Sequence, residues 1–157
     1  MNLPGLIPTL LADPGAASAV EHVKARGFAD VVSPVGVRAP LLAAAARELP
    51  LVVVTATGRE ADELAASVRA YLPADRADDV AVLPAWETLP HERLSPRADT
   101  VAKRLAVFRR LAHPNPEPGQ TGPIRVLVMP VRALLQPVVD GLGELEPVEL
   151  HDGDTAD

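Results

Sequence analysis

The unbroken run Leu51-Val52-Val53-Val54-Thr55 restricts the architecture more than any other stretch of the chain. Its apolar, β-branched residues do not alternate with polar ones, so the strand they form reads as buried on both faces, the mark of a parallel sheet covered by helices. Its surroundings agree. Thr57-Gly58-Arg59-Glu60 forms a capping box, and Ala61, Leu64, Ala65, Val68 and Leu72 recur at helical spacing behind it. Val80-Ala81-Val82-Leu83 reads as another strand, Ile124 to Met129 as a further one, and Val131 to Leu135 opens a helix. Upstream, Asp13 caps a helix that begins at Pro14, with Val20 and Val23 inward and Gly27 as its left-handed stop. A short apolar strand over Ala29 to Ser33 follows, then a loop over Pro34 to Pro40 and an Ala-rich helix over Leu41 to Leu49. Strands alternating with helices predict an α/β fold, a parallel sheet with helices on both faces joined by right-handed crossovers. There is no internal repeat, and His113 to Pro123, rich in Pro and Gly, reads as a surface loop.

Composition sets bounds on this fold. A chain of 157 residues with 48% hydrophobic side chains is long enough to bury its own core, and with 3% aromatics that core must be built from Ala, Val and Leu. The absence of Cys excludes a disulfide framework, thiol catalysis and Cys-ligated zinc. No stretch reaches 18 apolar residues and the start carries no basic region, so neither a membrane span nor a signal peptide is expected, and a cytoplasmic location is. The net charge of −6 is unevenly placed. Residues 1 to 92 carry 7 basic and 12 acidic groups, residues 93 to 132 carry 8 and 2, and residues 133 to 157 carry 0 and 7. The middle is a basic island that could hold a phosphate backbone weakly, and the acidic end reads as a linker. The expected organisation is one α/β domain over residues 1 to 143, with residues 144 to 157 as an acidic linker into a second domain absent from this chain.

The basic island follows the segment that concentrates the chemistry. Pro90 and Pro96 force Leu89 and Ser95 towards extended backbone, so residues 84 to 95 read as an irregular crossing that carries the only Trp, Trp86. Ser95 as N-cap and Pro96 at the first position open a helix that His113-Pro114 stops. Its inner face is expected at Ala98, Val101, Leu105, Phe108 and Ala112; Asp99 can pair with Lys103, and Arg109 and Arg110 sit at the negative end of the dipole. Arg93, Arg97 and Arg104 then lie on or near the helix surface, with Trp86, Glu87, Thr88, Leu89 and Pro90 leading into it. On one reading Trp86 packs on the sheet and the arginines form a solvated face. On another the stripe contacts nucleic acid or a partner protein, Arg93, Arg97, Lys103, Arg104 and Arg110 making a small nucleic-acid-binding domain. Metal binding by His91, Glu92 and His113 is the weaker possibility, because no second His stands four residues from His91.

In parallel sheets, ligands bind beyond the carboxyl ends of strands, which puts Gly36, Val37, Arg38, Ala39 and Pro40 where a phosphate loop would stand. Such a loop needs converging glycine amides, a Lys for the phosphates and a Ser or Thr for the metal. This one offers Gly36 alone, no side chain for magnesium, and a proline where an amide could donate. The expectation is a degenerate nucleotide loop, with no catalytic residue, cofactor or metal in this chain. A free-standing P-loop-like hydrolase is the enzyme alternative.

Leu83-Pro84-Ala85-Trp86-Glu87-Thr88-Leu89-Pro90, Leu94-Ser95-Pro96, Arg104-Leu105 and Val128-Met129-Pro130-Val131-Arg132-Ala133-Leu134-Leu135-Gln136 resemble the N-terminal region of the bacterial transcription-repair coupling factors (Mfd). The resemblance covers roughly residues 28 to 150 and extends to the first domain, 1a, of the excision-repair protein UvrB, a RecA-like helicase fold. Matching Gly36 to the second glycine of the UvrB phosphate loop puts Ala39 in place of its Lys and Pro40 in place of its Thr, as in a family whose N-terminal module has lost nucleotide binding. The resemblance implies a large ATP-dependent DNA translocase that displaces stalled RNA polymerase and recruits UvrA in nucleotide excision repair. ATP, magnesium, DNA and polymerase would belong to the full-length protein. This fragment would be a non-catalytic scaffold that contacts the remaining domains and no membrane.

Overall fold

A computed structural model describes residues 3–88, 95–115 and 121–145. Among the described residues the sheet has three parallel strands, β1 (Leu51–Thr55), β2 (Val80–Val82) and β3 (Val126–Pro130), in the order β1-β3-β2. Val126 is opposite both Leu51 and Val80, and Val128 is opposite both Val53 and Val82. This open sheet with helices packed on it is the α/β arrangement expected, and it is consistent with a RecA-like or UvrB-like domain.

Two cores lie on opposite faces. One joins α1 (Leu6–Leu11), α2 (Pro14–Arg26), α3 (Val35–Ala45) and α4 (Gly58–Ala70) to Val80, Val126 and Val128. The other joins α5 (Ala98–Ala112) and α6 (Val131–Leu135) to Ala81, Leu83, Leu127 and Met129. Alanines dominate the first core: Ala43, Ala44, Ala46, Ala61 and Ala65 are all buried, so helices approach closely without large side chains.

The local signals held at α2 and α4. The Asp13 carboxylate accepts from the Ala16 amide at 2.9 Å, and Gly27 closes α2 at φ 77°. At α4 the Thr57 hydroxyl accepts from the Glu60 amide at 3.2 Å, while Glu60 accepts from the amides of Thr57 at 3.3 Å and Ala56 at 3.0 Å. The predicted stripe is inward, with Ala61, Ala65, Val68 and Leu72 buried and Leu64 half-buried.

Four expectations need correction. The strand buried on both faces is β3, at the centre; β1 is an edge strand whose Val52 and Val54 are exposed. Ala29 to Ser33 is not a strand, because its backbone pairs with nothing among the described residues, and Val32 is fully exposed. The residues read as a loop from Val35 to Pro40 are the start of α3, whose cap position is Pro34. Finally, α5 begins at Ala98 with Arg97 as its cap position, and its buried residues are Thr100, Arg104 and Val107. The predicted face is therefore rotated: Val101, Leu105 and Phe108 are half-buried, and Ala98 and Ala112 are exposed. Asp99 pairs with Arg97 at 3.2 Å, the shorter reach across the helix start, where Lys103 was expected.

A short 3-10 turn, Leu142–Glu144, packs on α5, with the Leu145 carbonyl accepting from Arg109 at 3.0 Å. The remainder of the expected acidic linker, residues 146–157, lies outside the described residues.

Candidate functional site

The segment after β2 runs along α5 and is fixed from both sides. Gln136, at the end of α6, clamps Trp86: the Trp86 amide donates to Gln136 Oε1 at 2.7 Å, and Gln136 Nε2 donates back to the Trp86 carbonyl at 3.2 Å. One side chain thus does for Trp86 what a neighbouring strand would do. From the α5 side, Arg104 Nη1 donates to the Pro84 carbonyl at 2.7 Å. Its guanidinium carbon stands 4.4 Å from the centroid of the Trp86 ring and 5.4 Å from that of Phe108. Arg104 is only 1% exposed, so the cation meets these two rings out of reach of water. Burial pushes its guanidinium below the ordinary arginine value, although an arginine stays charged at neutral pH. Nε and Nη2 of Arg104 have no hydrogen-bond partner among the described residues.

Glu87 is exposed and belongs to the same knot. The buried Thr100 hydroxyl donates to its carboxylate, and Arg132 Nη2 donates to its carbonyl at 3.3 Å. The Thr100 hydrogen bond first, then its own amide, the Arg97 amide and the Arg97 charge, hold the Glu87 carboxyl below the usual carboxylate value. Thr88 is half-buried beside it, and Arg97 is exposed. Leu89, Pro90, His91, Glu92 and Arg93 lie outside the described residues.

The basic island is spent largely on backbone carbonyls inside the domain. Arg110 donates to the carbonyls of Gly122 at 2.9 Å and Asp78 at 2.6 Å, and Arg125 donates to that of Ala46 at 3.0 Å. Burial lowers the Arg110 guanidinium, with Asp78 and Asp79 opposing. Of the five residues proposed for nucleic acid, Arg104 is buried and Arg110, half-buried, donates to backbone carbonyls. His113 meets Glu144 at 3.6 Å rather than a His-Glu cluster. No group of three or more His, Cys, Asp or Glu residues poised for a metal occurs among the described residues. The sequence could not reveal the role of Gln136; only its clamp on Trp86 in the fold does.

The expected phosphate loop has no loop geometry. Gly36, Val37 and Arg38 lie in the first turns of α3, and Ala39 and Pro40 are buried in its core-facing side. No helix among the described residues is long and apolar enough to cross a membrane.

The fold defines an open parallel α/β domain, with the Trp86–Arg104–Gln136 knot beside its sheet. No family model matches the chain. Over 125 residues it is 53% identical to the transcription-repair-coupling factor of Mycobacterium bovis, and equally so to that of Mycobacterium tuberculosis; the match takes 79% of this chain and 10% of each relative. The chain thus spans about a tenth of the length of the curated relatives it matches. At this identity it is homologous to part of the transcription-repair coupling factors, as the residues around Trp86 and Val131 implied, and consistent with an N-terminal fragment of one.

Proposed function

We propose that this chain is the UvrB-homology domain at the start of a transcription-repair coupling factor and acts there as a non-catalytic scaffold. The observation that carries the reading is the 53% identity over 125 residues to two such factors. The site chemistry supports the scaffold role: Gln136 bonds the Trp86 backbone, Arg104 Nη1 the Pro84 carbonyl and Thr100 the Glu87 carboxylate, all within the domain. In the longer protein, ATP, magnesium, DNA and RNA polymerase are handled by other domains, and UvrA is contacted by the domain that follows this one. This domain holds that neighbour in place.

Purified UvrA passed over this chain, and over a longer protein that carries the next domain, tests the proposal. Retention by the longer protein alone is expected. Equal retention by both would move the contact into this domain, with the outer side of α5, Arg97 and Lys103, the first surface to mutate.

A further inference from the structure

The free edge of β1 is narrow and well defined. The Leu51 amide donates to the Arg125 carbonyl at 2.8 Å, so in this parallel pairing residues 51, 53 and 55 turn their backbone groups to β3. Val52 and Val54 therefore point theirs outward, and among the described residues nothing accepts from or donates to them. The edge is bounded at both ends. Pro50 has no N–H, and the Ala56 amide is taken by Glu60 at 3.0 Å. What remains is two donors and two acceptors on an uncharged stretch. Val52 is 64% exposed and Val54 45%.

Edges of this kind are usually blunted by lysine, proline or a bulge, and residues 51 to 55 contain none of these. The second core stops short at the same place. Leu127 and Met129 of β3 are covered by α5 and α6, but Val52 and Val54, next to them on the same face, are not. Leu134 and Leu135 of α6 and Val138 beyond it are exposed as well. Unpaired backbone and an adjoining apolar face together call for an extended apolar segment.

The geometry points to β1 as the docking edge for one further β-strand, supplied by the remainder of the longer polypeptide. That strand would pair with Val52 and Val54 and extend the second core over them. This rests on the reading of the chain as one segment of a longer protein. The choice of occupant follows from length: nine-tenths of each matched relative lies outside the matched region.

Hydrogen exchange at the Val52 and Val54 amides, compared between this chain and the longer protein, is the test. In the longer protein both amides are expected to exchange slower by on the order of 100-fold, as for groups released only when a strand opens. Val54→Lys should leave the melting of this chain unchanged, while in the longer protein it should abolish the slow exchange at Val52. Fast exchange at both amides in the longer protein would overturn the inference. So would slow exchange in this chain alone that grows with its concentration, because the occupant would then be a second copy. A failure of the scaffold reading shows separately, as UvrA retention by this chain, and leaves the exchange result intact.

Discussion

The guanidinium carbon of Arg104 stands over the indole of Trp86, 4.4 Å from the ring centroid, and Arg104 itself is buried. Buried arginines stabilise through their stems and planar stacking as much as through charge. Arg104→Ala should therefore cost about 3 kcal/mol, the usual range for removing a large buried side chain. Arg104→Lys should recover less than half of that, since an ammonium cannot stack on the ring and reach Pro84 together. A double-mutant cycle with Trp86→Ala, read by urea denaturation, should give a coupling of about 1 kcal/mol. Additivity of the two substitutions would mean that the stacking is absent in solution.

Trp86 itself is half-buried, so its anchoring comes as much from backbone as from its ring. Gln136→Ala leaves both the amide and the carbonyl of Trp86 without their partner, at an expected cost of about 1–2 kcal/mol. Gln136→Glu retains the acceptor but loses the donor, and should fall between the two. Thermal melting orders the three proteins. Tryptophan emission should shift to the red in the Ala variant as the segment loosens.

Much of the fold could be read from the sequence, and the exceptions share a cause. The capping box at Thr57 and the Asp13 cap work through residues three apart, so they survive any tertiary arrangement. Arg104 could not be placed, because an arginine in a basic helix reads as solvated, and only Trp86 and Phe108, far off or half-hidden by periodicity, make a buried place for it. Thr100, Arg104 and Val107 lie at helical spacing just as well as the apolar set that was expected to face inward. The pattern alone could not decide the rotation. Ala29 to Ser33 looks like a strand by composition, but a strand needs a partner and the described residues offer none.

Nucleotide binding gives a sharper contrast. Ala39 is 7% exposed and lies in α3, so Ala39→Lys would bury an ammonium instead of rebuilding a phosphate loop. The parent chain should bind a fluorescent ATP analogue with magnesium no better than millimolar. Ala39→Lys combined with Pro40→Thr should lose stability and gain no affinity. Micromolar binding by either protein would contradict the helical placement of Gly36 to Pro40.

Glu87 predicts a pH dependence. Its carboxyl is held below the ordinary value of 4.5, chiefly by the Thr100 hydroxyl. A group with a depressed folded value stabilises the fold above its unfolded value, and that stability is lost as pH falls through the folded value. Glu87→Gln should therefore be less stable than the parent at pH 7, with the gap closing as pH drops below about 4.5. Denaturation midpoints of the two proteins across the acid range check this. A gap that stays constant with pH would assign the effect to shape and not to charge.

The close of the described chain is held by a contact that only glycine permits. A Cβ on Gly143 would stand 2.8 Å from Ala112 Cβ and 2.9 Å from the Phe108 carbonyl oxygen, both on α5. Neither can retreat, the first being on the helix and the second part of its backbone. Gly143→Ala should therefore lift the turn Leu142–Glu144 off α5, breaking the 3.0 Å Arg109–Leu145 hydrogen bond, and cost about 1–3 kcal/mol, as overpacking does. Gly122→Ala is the control, because a Cβ there meets nothing within 4 Å, and it should stay within about 0.5 kcal/mol of the parent. Equal midpoints for the two variants in urea would show that residues 142 to 145 do not pack on α5 in solution.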